Sequence, residues 1–182
     1  MKGKLFVENI LQDLDQSHGL KSICLRYFNA AGADPKLRTG ESHEPETHLI
    51  PLVLQAALGL RKSIKIFGDD YETPDGSCIR DFIHVEDLCA AHLLALKYLD
   101  KNNQTNHFNL GNNTGTSVKE IIKISEKITG KNIPVEICPR RPGDPKILIA
   151  DNKKAREILG WAPKYQEIAE IIGHAWGWIS RK

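Results

Sequence analysis

The sequence is short of the features that settle many assignments at once. It has four cysteines, Cys24, Cys78, Cys89 and Cys138, and no two of them form a C-x-x-C pair. That spacing excludes the usual zinc and thiol-exchange motifs. The basic start Met1-Lys2-Gly3-Lys4 runs into an amphipathic stretch rather than an apolar signal core. The cysteines therefore read as reduced, mostly buried small hydrophobes of a cytoplasmic protein. No apolar run approaches the roughly 20 residues that span a bilayer, and no membrane contact is expected. Charge of either sign is not in excess: 25 Lys and Arg face 23 Asp and Glu, for a net +2. Such a balance argues against nucleic acid or an anionic membrane as partner. Low-complexity segments are missing, so disorder is not expected. So are the glycine signatures of dinucleotide loops: neither G-x-G-x-x-G nor G-x-x-G-x-x-G occurs. His43-Glu44-Pro45-Glu46-Thr47-His48 superficially resembles a zinc-protease helix, but its histidines are five apart and Pro45 lies between them. No metal is expected on that pattern.

What is present is alternation. The 182 residues suffice for one sizeable core, or one and a half small ones. Val7, Ile10, Leu11 and Leu14 make a helical stripe ended by His18-Gly19. Ser22–Phe28 reads as a buried strand, and Asn29-Ala30-Ala31-Gly32 as the small-residue turn leaving it. A long polar loop reaches His48. Leu49–Leu60 is a nearly all-apolar helix with Pro51 in its first turn. A short strand over Ser63–Phe67 and an Asp-, Pro- and Gly-rich loop follow. Further helices are expected over Glu86–Leu99, from the Ser117–Glu120 capping box to Gly130, from an Asp151 cap to Gly160, and over Ile168–Ile179. Strands over Asn106–Leu110, Ile133–Cys138 and up to Ile149 alternate with them. The pattern is α/β with a partly parallel sheet.

Three stretches carry chemistry. Arg80 stands where a loop enters a strand, and its planar donor fork suits a phosphate or pyrophosphate. The plainer alternative is an Arg80–Asp81 pair tying down a loop. Arg140, Arg141 and Asp144 sit in a Pro/Gly loop, either as a phosphate and ribose clamp or as a solvated turn. Gly111-x-x-x-Gly115 lies between strand and helix, open to a phosphate-loop reading but closer to an ordinary tight turn. Asn29 offers a donor and an acceptor at a strand end, or satisfies backbone. His84 reads as a satisfied, half-buried histidine.

Taken together these stretches match a pattern. Arg26-Tyr27-Phe28-Asn29-Ala30-Ala31-Gly32, His48-Leu49-Ile50-Pro51, Ile66-Phe67-Gly68-Asp69-Asp70-Tyr71 and Asp75-Gly76-Ser77-Cys78-Ile79-Arg80-Asp81-Phe82-Ile83-His84-Val85 lead it. Asn109-Leu110-Gly111, Arg140-Arg141-Pro142-Gly143-Asp144 and Leu159-Gly160-Trp161 complete it. In this order, over essentially the whole chain, they resemble the UDP-glucose 4-epimerases of the extended short-chain dehydrogenase fold. The Asp-Gly-x-x-x-Arg-Asp-x-Ile-His-Val block separates these from sugar-nucleotide dehydratases of the same fold.

The resemblance implies an isomerase that interconverts UDP-galactose and UDP-glucose by transient oxidation at C4 with NAD. Lys4 would be the catalytic lysine of a Tyr-x-x-x-Lys pair whose tyrosine falls one position before Met1. Lys4, Tyr27 and Phe28 would lie by the cofactor. Asn29, His48, Leu49, Lys65, Ile66, Phe67, Arg80, Arg141, Asp144 and Leu148 would hold the UDP-sugar. Arg80 and Arg141 would clamp the pyrophosphate, Asp144 the ribose. Leu148 stands where the family often has Tyr, leaving room for an N-acetylhexosamine. Phe82 stands where Tyr is common, and Glu72 where Pro is common.

The fold implied is the C-terminal part of that architecture: the last strands and helices of a Rossmann-like sheet plus the small α/β substrate-binding domain. Residues 1–32 and 78–112 would belong to the cofactor-binding sheet, and 33–77 and 113–182 mainly to the substrate-binding portion. The chain is expected to be the C-terminal portion of such an enzyme, either truncated or half of a split enzyme whose complementary N-terminal half carries the glycine loop, and alone is expected not to epimerise. The alternatives are a non-catalytic UDP-sugar-binding module or an inert remnant. Self-association is expected through the Leu5–Leu14 helix, whose apolar face such a half would cover.

Overall fold

Helical stripes and β-branched runs assemble, in a computed structural model that describes residues 2–181, into alternating helices and short strands. Helix α1 (Lys2–His18) leads to β1 (Ile23–Tyr27), which pairs in parallel with β6 (Asn106–Leu110). The small-residue stretch Asn29–Ala31, expected as a turn, is instead a strand, β2. Its parallel partner is β5 (Phe82–His84), with Asn29 opposite Phe82. Three residues gain a ladder here only because a partner some fifty positions away completes it, and no local propensity foretells that.

Helix α2 (Leu49–Ala57) is apolar except for Gln55, as suits a helix inside a core. It ends earlier than its apolar run, because Leu58 caps it and Gly59 turns left-handed at φ 75°. Strand β3 (Ile64–Phe67) pairs in parallel with β8 (Val135–Cys138). Strand β4 (Ile79–Arg80) sits between β7 (Thr116–Ser117), antiparallel, and β9 (Ile147–Leu148), parallel. Helix α3 (Val85–Asn102) follows β5 directly, capped by the His84 ring, which accepts from the Glu86 N–H.

Helix α4 (Val118–Thr129) has the expected capping box between Ser117 and Glu120, and Gly130 closes it at φ 67°. Helix α5 (Lys153–Leu159) is capped at Asn152 rather than Asp151. Asp151 still serves that end, since its Oδ1 accepts from the Lys153 N–H at 3.0 Å. Helix α6 (Ile168–Ile179) completes the fold.

Two apolar clusters hold these elements. One gathers α2, α4 and α6 with β3 around Leu54, Ile66, Ile121 and Ile171. The other packs Phe108 and Leu110 of β6 against Ile83, α3, Ala155 and Leu159 of α5, and the buried Trp161. Helix α5 thus joins the β1–β6 side although it lies late in the chain. Of the cysteines only Cys78 is buried; Cys24 and Cys138 are intermediate and Cys89 is exposed, which corrects the expectation that most are core residues.

Candidate functional site

The β4–β5 junction brings the chemistry-bearing residues together. Arg80 ends β4 opposite Leu148 of β9. Its guanidinium does not pair with Asp81, as the plainer alternative had it. Arg80 Nη2 instead forms an ion pair with Asp144 of the 139–144 loop, and Nη1 donates to the Ile79 carbonyl at 2.7 Å. Both partners are largely withdrawn from water, with side chains 14% and 26% exposed.

Asp81 points the other way and is fully buried. One carboxylate oxygen accepts from the Asn112 N–H at 2.8 Å, and the other from the Asn113 and Ala150 N–H groups at 3.1 Å each. Burial pushes its carboxyl up, against the pull of these amide donors. The turn after β6 therefore gives its amides to a carboxylate, and so is the tight turn rather than a phosphate loop. Gly111 is required there because a Cβ would lie 2.5 Å from Asp81 Oδ2.

The two adjacent arginines are told apart. Arg140 is committed to Asp70, through Nε at 2.7 Å, and lies over the Tyr71 ring at 4.3 Å. Arg141 stacks on Phe67 at 3.7 Å, and no ion pair is formed by it among the described residues. Its donors remain available to an anion. Phe67, Arg141, Asp144, Arg80 and Leu148 thus form one connected group across β3, β4 and β9.

A second group adjoins it. Asn29 donates through Nδ2 to the Asp81 carbonyl at 2.7 Å, which leaves its Oδ1 as acceptor. Asn29, His48, Leu49 and Phe82 line a small cleft. Lys65 is exposed and lies 4.0 Å from Glu136, while Ile66 is buried in the core and offers a ligand only its backbone. Lys4 lies on α1, Tyr27 ends β1 with its ring 6.3 Å from that of His92, and Phe28 links Tyr27 to Asn29. Glu8, one turn beyond Lys4, binds Arg26 and so ties that helix to the end of β1, where Tyr27 is 41% exposed.

The sequence reading missed two clusters. His84, expected half-buried, is fully buried, with Nε2 3.1 Å from His174 Nδ1 and the Tyr165 ring 4.3 Å away. The desolvation this imposes, aided by His174, pushes its pKa down to about 4. His43, Glu46 and His48 also gather on the loop before α2, although the segment is not helical.

Residues 2–111 match the model of the NAD dependent epimerase/dehydratase family. The chain belongs to that family. It is 57% identical over 175 residues to UDP-glucose 4-epimerase of Halalkalibacterium halodurans, covering 96% of this chain and 52% of the relative. A crystal structure of a UDP-glucose 4-epimerase superposes with a TM-score of 0.95 at 52% identity, covering 100% of this chain and 55% of that one. The Brucella ovis enzyme, solved in complex with NAD, gives 0.93 at 45% identity, covering 97% and 54%. The fold is thus the mixed α/β fold of these epimerases, of which this chain spans about half the length. No helix among the described residues is long and apolar enough to cross a membrane.

Proposed function

We propose that this epimerase-family chain supplies the UDP-sugar-binding portion of a UDP-glucose 4-epimerase. The observation that carries the reading is the convergence of Arg80, Asp144 and the Phe67-stacked Arg141 beside Asn29 and His48. Two guanidiniums within one group suit a diphosphate, which needs paired planar donors. Asp144 presents an acceptor for ribose hydroxyls, and the Asn29 carbonyl oxygen and His48 ring face the same cleft. Leu148, opposite Arg80, leaves room at the hexose for UDP-glucose, UDP-galactose or an N-acetylhexosamine.

NAD is the cofactor that the family match implies, and it supplies a hydride acceptor and donor when bound. The residues of this chain fit only its nicotinamide end: Lys4 on exposed α1, and Tyr27 and Phe28 at the C-terminal end of a parallel strand, where dinucleotides sit. The turn after β6 offers no pyrophosphate cradle, its amides being held by Asp81. These 182 residues therefore supply the nucleotide-sugar contacts and the nicotinamide end, and offer no pyrophosphate cradle of their own. Self-association through α1 fits its exposed Leu5, Phe6, Val7 and Ile10. Four free cysteines accord with a reducing, cytoplasmic setting.

Calorimetric titration tests the reading. UDP-glucose and UDP-galactose are expected to bind one to one, and glucose without the nucleotide not at all. Absence of UDP-sugar binding up to millimolar concentration overturns it.

A further inference from the structure

The loop that enters α2 carries a donor set of which only His48 has a part in the reading above; His43 and Glu46 have none. Glu46 is its anchor. The side chain is only 5% exposed, and its Oε1 accepts from the Thr47 N–H at 2.7 Å and the His48 N–H at 2.8 Å. A carboxylate held by two backbone amides of its own loop is fixed in place. Its side-chain partners are imidazoles. His48 Nδ1 lies 2.8 Å from Glu46 Oε1 and His43 Nδ1 lies 3.9 Å from it, with the two rings 5.5 Å apart. Lys and Arg take no part in the ion pairs of Glu46 among the described residues.

The surroundings share that sign. His43 and Glu46 line a pocket of about 570 Å³ whose wall also carries Asp34, Glu41 and Glu44 and contains no Lys or Arg. One of these carboxylates, Asp34, is neutralised by Arg38; the others leave the wall acidic.

We propose that His43, Glu46 and His48 form a three-ligand site for a divalent cation of the zinc class. Bonds of about 2.0–2.2 Å to a four-coordinate zinc put ligand atoms roughly 3.4 Å apart. The separations of 2.8 and 3.9 Å bracket that value. Both imidazoles are about half exposed and free to adjust by a few tenths of an ångström, while the buried carboxylate stays put. Two nitrogens and one oxygen select zinc and its transition-metal neighbours over magnesium or calcium, which take oxygen ligands. A fourth position remains for water. The spacing that rules out a zinc-protease helix is no obstacle on a loop, where the chain doubles back between His43 and His48.

The test is zinc uptake by the untagged 182-residue chain, stripped with chelator and titrated with zinc chloride against a chromogenic competitor. It needs no nucleotide, so it stands or falls apart from the UDP-sugar reading. One equivalent is expected to bind, with at least tenfold weaker affinity in His43→Asn and in Glu46→Gln. His43 is exposed, so His43→Asn reads ligand loss even where Glu46→Gln disturbs the loop. Cobalt substitution is expected to give a four- or five-coordinate spectrum without a thiolate charge-transfer band. No stoichiometric uptake, affinity unchanged in His43→Asn, or a thiolate band pointing to the cysteines would each overturn the proposal.

Discussion

Arg80 and Asp144, 64 positions apart in sequence, meet in a half-buried ion pair where β4 faces the 139–144 loop. The pair sets where the guanidinium points, with Leu148 opposite Arg80 on β9 and Arg141, stacked on Phe67, on the same loop as Asp144. If Asp144 positions Arg80, the two side chains act on UDP-glucose as a unit. A double-mutant cycle with Arg80→Ala and Asp144→Ala is expected to show a coupling of at least about 0.5 kcal/mol in binding. Strictly additive losses would say that each acts alone.

Asp81 is expected to matter to stability rather than to binding chemistry. Asp81→Ala orphans three N–H groups, two of them, those of Asn112 and Ala150, on buried residues. At about 1–3 kcal/mol for each buried donor left unpaired, a loss of roughly 3 kcal/mol or more is expected in urea unfolding. A loss below about 1 kcal/mol would contradict the role given to it.

The buried His84 makes stability pH-dependent. Its ring meets His174 and Tyr165, with Asp87 on the following helix pulling the other way. Its pKa falls from 6.5 to about 4 on folding, chiefly through desolvation. Between those values the unfolded chain binds the extra proton and the folded one does not. Stability is therefore full above pH 6.5 and declines as pH drops towards 4, by up to about 3 kcal/mol. His84→Asn keeps an acceptor for the Glu86 N–H and removes the titration. Denaturant melts across this range should show a shallower slope for that variant, and an unchanged slope would refute the assignment.

Helix α1 meets the rest of the chain largely through ion pairs, Glu8 with Arg26 and Asp15 with Lys21. Phe6 is 69% exposed and Leu5 60%. Sedimentation of the wild-type chain at tens of micromolar is expected to show dimers or larger species, and Phe6→Glu to shift them towards monomer. A wild type that sediments as monomer removes the argument.

Local signals in the sequence were read where the physics is local. Ser117 and Glu120 announce the start of α4, Gly130 its end, and Ile171, Ile172 and Ala175 the buried face of α6. Signals that need a distant partner were not. Asn29–Ala31 looks like a turn until β5 is beside it. Arg80 looks tied to its neighbour Asp81 until the 139–144 loop arrives, and Arg140 and Arg141 are equivalent until Asp70 claims one of them. The Arg80, Asp144 and Arg141 grouping was expected from family resemblance, whereas periodicity alone left each with a plainer alternative. His43 and Glu46 fit no metal pattern at a helical spacing interrupted by Pro45, and they come beside His48, expected at the UDP-sugar, only once the segment is a loop.

The most direct test of the central claim is calorimetric titration of the chain with UDP-glucose, wild type against Arg80→Ala. The account predicts one-to-one binding that Arg80→Ala weakens by about 1.5–3 kcal/mol, the scale of a charge-assisted hydrogen bond. Equal affinity in the two proteins would place the nucleotide elsewhere and contradict the site described.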